Sequence, residues 1–413
     1  MAKQADLLSV EDARQRILAR FAPLGEEEVT LDESRGRILA TAITAGFDLP
    51  PFANSSMDGF AVRGTETVGA STAAPLRLRV SAHIPAGTVP AEVMQSGEAA
   101  RIMTGAPLPS GADAVVPFED VSDDGTSILL RASIRPGACV RPSGQDIAEG
   151  VAVLPKGTEI GSREVAVLAA LGYSHVPVRR RPMVGVMATG SELVAPGVPL
   201  QPGQIYNSNS PMLSAAVAEA GAVSQVLRTA SDNAEAIGRE LMSASDCDLL
   251  LTSGGASVGD FDYMKDVVGS TGDLHFWRVR VRPGKPLLFG AVGSTPIIAL
   301  PGNPTSAMVT FELFVRPALR LMLGASAQRP RIQAVVTERM ENRGGRRTYA
   351  RVVVRQNGDH FNASLSGPQD SAMVLPLARC DGLLEISEDV EELLPGDSAT
   401  VHLWRLPTAD AGA

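Results

Sequence analysis

The feature that most constrains the fold is a regular alternation of short apolar strands, loops and helices that begins near Met183. Strands are predicted at Val184–Met187, Val223–Leu227 and Asp248–Thr252. Between the first two, Ser210 is the predicted N-cap of a helix that ends at Gly221. Strands and helices that alternate in this way form a parallel sheet with helices on both faces. This segment is therefore predicted to be an α/β domain.

Polar loops follow the predicted strands, and ligands bind at the carboxyl ends of strands in such sheets. Four acids come just after strands and are expected to converge on that edge: Glu192, Asp232, Asp260 and Asp262. The third strand runs into TSGGASVGDFDY, where Gly254, Gly255 and Gly259 would let backbone N–H groups approach an anion. This is not a Walker loop, because no GK[ST] follows. A tight strand-to-helix turn with a polar surface is the alternative interpretation.

A basic stretch and a loop stiffened by prolines come next. If the basic stretch is a strand, Arg278, Arg280 and Arg282 share one face, and guanidinium groups there suit tetrahedral anions. The alternative is a solvated strand face. Pro301 and Pro304 precede an apolar helix whose first N–H groups can meet an anion. Together with the four acids, these features predict a phosphorylated ligand bound with a divalent cation.

The rest of the chain is predicted to be mainly β. Ser9 and Ser162 are the predicted caps of two helices, and short strands from about residue 75 to about residue 140 predict a small β domain between them. Asn357-Gly358 predicts a tight hairpin within an all-β C-terminal domain. The loops beside both helices are too short to cover their apolar faces. We therefore expect a partner chain to bury them.

Composition and charge argue against several classes of protein. A net charge of −9 over 413 residues disfavours a general nucleic-acid binder. The 3 cysteines and 5 histidines are scattered, which disfavours a disulfide framework and a transition-metal site. No apolar run approaches about 18 residues, and charged residues precede any signal-like stretch. A cytoplasmic protein is expected.

Eight motifs along the chain are similar to those of one known family. They are PPFANSSMDGFAVR, RIMTGAPLP, PSGQDI, TGSEL, NSNSP, TSGGASVGDFDY, RPGKP and LPGNPTSA. Their order and spacing, from about residue 7 to about residue 405, resemble the molybdopterin molybdenumtransferases, which are the MoeA proteins and the related E domain of gephyrin. The resemblance implies an enzyme that inserts molybdenum from molybdate into adenylylated molybdopterin. AMP is released and the molybdenum cofactor is formed.

The same resemblance implies a multidomain α/β plus β fold. Residues 1–50 and 147–180 would form an extended dimerisation domain, 51–146 an inserted small β domain, 181–326 a three-layer α/β domain with a mainly parallel sheet, and 327–413 a C-terminal β-barrel-like domain. It implies a homodimer that uses Mg²⁺ and contacts the adenylyltransferase and molybdoenzymes transiently, without nucleic acid or membrane. Two alternatives stay open: a molybdopterin adenylyltransferase, because a related α/β domain serves both steps, and a gephyrin-like scaffold.

Site residues follow from the resemblance position by position. The polar active-site set is matched by Asp58, Thr104, Asp146, Glu192, Asp232 and Asp262, of which Asp232 and Asp262 would hold Mg²⁺. The binding set is matched by Gly254, Gly255, Ser257, Gly259, Arg278, Arg282, Lys285, Pro301, Pro304 and Ser371. Asp260 falls where the family varies, so Asp262 is preferred. Ser371 is expected to act from across the dimer, although Asp370 stands before it where the family more usually has a small residue.

Overall fold

The computed structural model describes residues 7–229, 234–254 and 261–409 of the 413-residue chain. The chain forms two compact units. Unit 1 is made of Met1–Glu28, Gly36–Ala40 and Pro177–Ala413, and unit 2 of Val29–Arg35 and Thr41–Val176. The chain passes from one unit to the other within the strands Glu26–Thr30 and His175–Arg179, and also at both ends of Gly36–Ala40. No helix in the described ranges is long and apolar enough to cross a membrane.

A six-stranded sheet forms the centre of the α/β part of unit 1. Its strands lie in the order Val223–Val226, Met183–Ala188, Leu249–Ser253, Thr295–Leu300, Leu288–Val292 and Leu274–Trp277. The first four are parallel, and the last two are antiparallel to their neighbours. Leu249–Ser253 is buried at every residue, as expected for a strand covered on both faces. The predicted α/β domain with a mainly parallel sheet is confirmed.

Seven helices are described in unit 1. They are Val10–Leu18, Asn209–Glu219, Ala234–Met242, Phe261–Thr271, Pro304–Thr310, Arg316–Met322 and Leu375–Arg379, and the π-helical turn Phe311–Val315 joins the fifth to the sixth. The prediction that Ser210 caps the second helix is wrong. That helix begins at Asn209, and the side-chain oxygen of Asn207 accepts the N–H of Ser210 at 3.0 Å. A short amide side chain three residues earlier satisfies the free donor.

The N-terminal helix Val10–Leu18 begins as predicted, because Ser9 accepts a backbone N–H at 3.0 Å. Its apolar residues Val10, Ala13 and Ile17 are buried in one core with residues of the six-stranded sheet. The prediction that a partner chain covers this face is therefore wrong. Distant parts of the same chain cover it, which sequence patterns near the helix do not reveal.

A closed five-stranded barrel forms the C-terminal part of unit 1. Its strands lie in the order Arg347–Asn357, His360–Leu365, Arg331–Val336, Ser398–Leu403 and Gly382–Ile386, and the last pairs back with the first. Gly358, at a φ of +58°, makes the tight hairpin between the first two strands, as predicted. Val281–Arg282 and Thr408–Ala409 also pair with the long strand Arg347–Asn357. The predicted barrel-like domain is confirmed.

The basic stretch is not one continuous strand. One strand ends at Trp277 and the next begins at Val281, and Arg278 between them has a φ of +88°. The guanidinium carbon of Arg278 lies 3.9 Å from the centre of the Trp277 ring. The prediction that Arg278, Arg280 and Arg282 share a strand face is wrong, because the left-handed residue breaks the alternation.

Unit 2 contains the predicted inserted β domain. Its six-stranded sheet has the order Ala114–Pro117, Gly59–Val62, Glu98–Ile102, Leu76–Ile84, Ser127–Leu130 and Val121–Asp123. Two short pairs join Ile43–Thr44 to Ala152–Leu154 and Asn54–Ser55 to Val140–Arg141. The helix Ser162–Ala170 is capped at Gly161, whose N–H donates to Glu164 at 2.9 Å, and not at Ser162 as predicted.

Candidate functional site

A cleft of about 1320 Å³ lies in unit 1 at the carboxyl ends of the parallel strands. Its lining includes the loops that follow Met183–Ala188, Leu249–Ser253 and Thr295–Leu300. Ligands bind at this edge in open α/β sheets. The barrel part of unit 1 supplies further lining residues, including Arg346 and Ser371. The cleft therefore brings together a sheet edge and the barrel.

Seven of the predicted site residues line this cleft: Glu192, Gly254, Arg282, Lys285, Pro301, Pro304 and Ser371. Arg278 is not among the lining residues. Three others belong to unit 2: Asp58, Thr104 and Asp146. Five predicted positions lie outside the described residues: Asp232, Gly255, Ser257, Gly259 and Asp260. Asp262 lies in the helix Phe261–Thr271, but its side chain is outside what the structure describes.

Gly254 lies where the ends of two parallel strands approach each other. Its φ is +100°, and a Cβ at this position would lie 2.3 Å from the backbone oxygen of Thr189. The N–H of Thr189 donates to the Ser253 oxygen at 3.0 Å, which holds the two strand ends together. A side chain at position 254 would collide with backbone, so the glycine is required by this contact as well as by its positive φ.

Asn209 links the loops at the sheet edge and was not predicted as a site residue. Its side-chain amide donates to Ser253 Oγ at 2.8 Å and to the Gly302 oxygen at 2.6 Å. Ser253 Oγ in turn donates to the Pro301 oxygen at 3.0 Å. The NSNSP motif contains Asn209, but no local pattern indicates an amide that bridges two distant loops.

Four basic residues line the cleft. Arg339 pairs with Glu392 at 2.5 Å, and the other three form the basic group: Arg282, Lys285 and Arg346. Within the described part of the chain, no carboxylate lies within ion-pair distance of any of them. Burial lowers the pKa of Arg346, and the nearby charge of Arg282 lowers it further. Arg346 was not predicted as a site residue. Nothing local in the sequence distinguishes it from its neighbour Arg347, whose side chain pairs with Glu388 at 2.9 Å. The basic group is an environment that an anion would stabilise.

Ser371 contacts the proline loop of its own chain. The side-chain amide of Asn303 donates to Ser371 Oγ at 2.7 Å, and the Thr305 N–H donates to the Ser371 oxygen at 3.2 Å. These contacts lie within one chain, and the expectation that Ser371 acts from across a dimer stays a prediction. Gln369, two residues before Ser371, holds the segment that carries Ser371 to the barrel. Its side chain accepts the backbone N–H of Arg351 at 2.9 Å and donates to the backbone oxygen of Arg351 at 3.2 Å.

The predicted polar residues of unit 2 include one bonded pair. Both the N–H and the hydroxyl of Thr104 donate to Asp58 Oδ1 at 2.7 Å. The backbone N–H first, and then the hydroxyl, hold the pKa of Asp58 below its ordinary value, so its carboxylate is ionised at neutral pH. Asp146 lines a smaller cleft of about 450 Å³ with Asn54 and Arg141.

The acids of the cleft suit a hard cation that is shared with a ligand. No cluster of three or more His, Cys, Asp or Glu side chains with metal-binding geometry occurs among the residues described. Glu192 folds back so far that a Cβ on Gly190 would lie 2.7 Å from its carboxylate oxygens. Mg²⁺ takes one or two carboxylates together with phosphate oxygens, and the described lining of the cleft includes the carboxylates of Glu192, Glu341 and Asp370, so the donor set fits it.

The fold and the cleft define a class of multidomain α/β proteins that have a basic cleft at the sheet edge and a barrel beside it. Residues 8–172 match the family described as "MoeA N-terminal region (domain I and II)". Residues 185–321 match "Probable molybdopterin binding domain", and residues 333–404 match "MoeA C-terminal region (domain IV)".

Curated relatives and a solved structure agree with these matches. The chain is 42% identical to molybdopterin molybdenumtransferase 2 of Mycobacterium tuberculosis over 92% of this chain and 94% of the relative. It is 36% identical to the molybdopterin molybdenumtransferase of Bacillus subtilis over 98% of this chain and 96% of the relative. The crystal structure of a Pyrococcus MoeA protein superposes with a TM-score of 0.87 at 34% identity, covering 97% of this chain and 100% of that one. The chain belongs to the MoeA family of molybdopterin molybdenumtransferases.

Proposed function

We propose that this protein inserts molybdenum from molybdate into adenylylated molybdopterin, which releases AMP and forms the molybdenum cofactor. The observation that carries the proposal is the basic group Arg282, Lys285 and Arg346 in the cleft at the sheet edge. Guanidinium and ammonium donors suit the oxygens of molybdate and of phosphate. The match covers 94% and 96% of the lengths of two relatives that are named for this activity.

The roles of the site residues are part of the proposal. The basic group binds molybdate, while Gly254, with Gly255, Ser257 and Gly259, lies against the pyrophosphate of the substrate. Arg278 supports the basic segment through its contact with Trp277. Pro301 and Pro304 stiffen the proline loop, which the bond from Asn303 to Ser371 also holds in place. The N–H donors of this loop therefore lose little conformational freedom when an anion binds. The polar set of Asp58, Thr104, Asp146, Glu192, Asp232 and Asp262 orients the substrates as the phosphoanhydride bond breaks.

Mg²⁺ is proposed as the cation that accompanies the substrate. Asp232 and Asp262 would hold it together with phosphate oxygens, and Glu192 is one of three carboxylates in the described cleft lining, with Glu341 and Asp370. When bound, Mg²⁺ neutralises negative charge on the phosphate groups. Molybdenum itself is substrate and not a resident metal.

A cytoplasmic homodimer is proposed as the working form. Unit 2 exposes several large apolar side chains, among them Phe47, Phe52 and Met57, and such groups suit an interface. The resemblance to the family supports the same assembly. The protein would receive its substrate from the adenylyltransferase and pass its product to molybdoenzymes through transient contacts.

The test is a defined reaction with two substrate mixtures. The purified protein is incubated either with adenylylated molybdopterin and molybdate or with molybdopterin and ATP. Release of AMP and reactivation of an apo-molybdoenzyme are expected in the first mixture alone. Adenylylation of molybdopterin in the second mixture, without cofactor in the first, would identify an adenylyltransferase, and inactivity in both mixtures would favour a scaffold.

A further inference from the structure

Two adjacent residues of the cleft lining are large, apolar and exposed. Ile205 and Tyr206 are 54% and 43% exposed, and Val374 of the barrel side of the cleft is 48% exposed. Scattered apolar residues on a convex surface need no explanation. In a concave site, apolar and aromatic groups beside a few polar ones are the usual lining for an organic ligand. The cleft therefore has an apolar part as well as its basic group.

The backbone beneath Tyr206 is held firmly. Ile205–Tyr206 pairs in parallel with Leu193–Val194, and the N–H groups on either side of Tyr206, those of Ile205 and Asn207, donate to that neighbouring segment at 3.0 and 2.8 Å. Asn207 is buried and caps the following helix. Because side chains alternate along a strand, Tyr206 projects to the face opposite Asn207. An aromatic ring on fixed backbone has only two side-chain torsions to order when it binds.

We infer that Tyr206 is a stacking platform for a planar nitrogen heterocycle, while the phosphate and oxyanion groups of the same ligand occupy the basic group. The inference rests on the proposed function, whose substrate carries two such rings, a pterin and an adenine. Stacking of one ring on an aromatic side chain tightens binding by about 5- to 100-fold and depends on the planar face of both partners. Tyr206 thus selects a ring that is attached to phosphate over phosphate alone.

The experiment compares three probes on the full-length protein: AMP, neopterin and ribose 5-phosphate. Tyr206→Leu keeps an apolar side chain but removes the planar face, and Tyr206→Phe restores that face. Val223→Ala is the control, since Val223 is exposed to a similar extent, 38%, but does not line the cleft. We expect Tyr206→Leu to weaken one ring probe about tenfold, with Tyr206→Phe, Val223→Ala and all binding of ribose 5-phosphate close to wild type.

The two ring probes distinguish the source of the stacked ring. Loss of AMP binding alone assigns the adenine to Tyr206, and loss of neopterin binding alone assigns the pterin. In turnover with adenylylated molybdopterin, Tyr206→Leu should raise KM about tenfold while kcat stays near wild type. Thermal melting of each variant shows that the fold is retained.

Two outcomes would overturn the inference. One is that Tyr206→Leu binds both ring probes as wild type does, and the other is that it loses ribose 5-phosphate by the same factor. The proposed function would stand in either case as long as the wild-type protein forms cofactor. Conversely, if the wild type forms no cofactor but Tyr206→Leu still loses a ring probe, the proposed function fails and the stacking site remains.

Discussion

At the scale of the residue, neighbouring side chains of one type differ sharply in what they can do. Arg347 pairs with Glu388 at 2.9 Å and with Glu385 at 3.4 Å, so its charge is already compensated. Arg346, one position earlier, lines the cleft together with Arg282, and its burial, followed by the nearby charge of Arg282, lowers its pKa. Arg346 and Arg282 can therefore compensate the charge of an anion that enters the cleft, whereas the charge of Arg347 is already compensated by its two glutamates.

Arg282→Ala tests the basic group at this scale. A lost charge-assisted hydrogen bond costs about 1.5–3 kcal/mol, so half-saturating molybdate should rise about 10- to 150-fold. Binding of the adenylylated pterin should weaken less than this, because Lys285, Arg346 and the residue that stacks on its ring still hold it. The measurement is the molybdate dependence of cofactor formation at saturating pterin adenylate.

The control for this variant is Arg343→Ala. Arg343 does not line the cleft, and its exposed side chain pairs with Glu341 at 3.2 Å, an interaction worth about 0–1 kcal/mol. Molybdate curves that superimpose for wild type, Arg282→Ala and Arg343→Ala would show that Arg282 forms no part of the anion site.

Thr104→Val tests the hydroxyl bond to Asp58. Removing this donor should raise the pKa of Asp58 towards its ordinary value of 3.8, while the backbone N–H of residue 104 keeps part of the depression. Thr104→Ser keeps the hydroxyl and should leave the pKa low. Carboxyl NMR titration measures all three proteins, and an unchanged pKa in Thr104→Val would contradict the hydrogen bond.

At the scale of the element, the sheet edge depends on the close approach of two strand ends. Gly254→Ala would place a methyl group 2.3 Å from the Thr189 oxygen at a φ of +100°. The substitution should lower the free energy of unfolding by about 1 kcal/mol or more. Urea unfolding, monitored by circular dichroism, provides the measurement.

Gly238→Ala is the matched control with the opposite sign. Gly238 lies within the helix Ala234–Met242, where a Cβ would meet Val267 at an ordinary distance of 3.8 Å. An alanine should raise stability by about 0.5–1 kcal/mol, because glycine is a poor helix former. Equal effects of the two substitutions would show that the strand-end contact does not matter.

The barrel contains a pair that should respond to acid. The His402 ring donates to Glu385 at 2.8 Å, which is the main reason that the pKa of Glu385 lies below its ordinary value of 4.5. A lowered pKa stabilises the fold above the ordinary value, and this contribution is lost as pH falls through the lowered pKa. Glu385→Gln should therefore lose less stability than wild type from about pH 5 to about pH 3. Melting curves across this range test it, and parallel losses would contradict it.

How much could be predicted differs between elements for a physical reason. The strands at Met183–Ala188 and Leu249–Ser253 were predicted within one residue, because burial on both faces leaves an unbroken apolar run. The break at Arg278 was missed, since nothing local distinguishes a residue with positive φ from one in an alternating strand. Asn209 and Arg346 were missed as well, because their importance arises from contacts between segments distant in sequence.

At the scale of the whole molecule, a homodimer stays a prediction from the family resemblance and the exposed apolar side chains of unit 2. Light scattering at low protein concentration should give twice the monomer mass of 43.2 kDa. Met57→Asp, which places a charge at one of the exposed apolar positions of unit 2, should weaken the dimer. A monomer that forms cofactor at the wild-type rate would contradict the assembly.

The placement of the helix Val10–Leu18 has a consequence for the protein while it is still being made. Val10, Ala13 and Ile17 share a core with Leu319, among other residues, and roughly 300 residues must be translated between Ile17 and Leu319. At about 5–20 residues per second, the ribosome needs about 15–60 s to supply them. During that interval the nascent chain carries an apolar segment too short to persist as an isolated helix. The helix Val10–Leu18 thus reaches its final environment only after a distant, later part of the chain has been made.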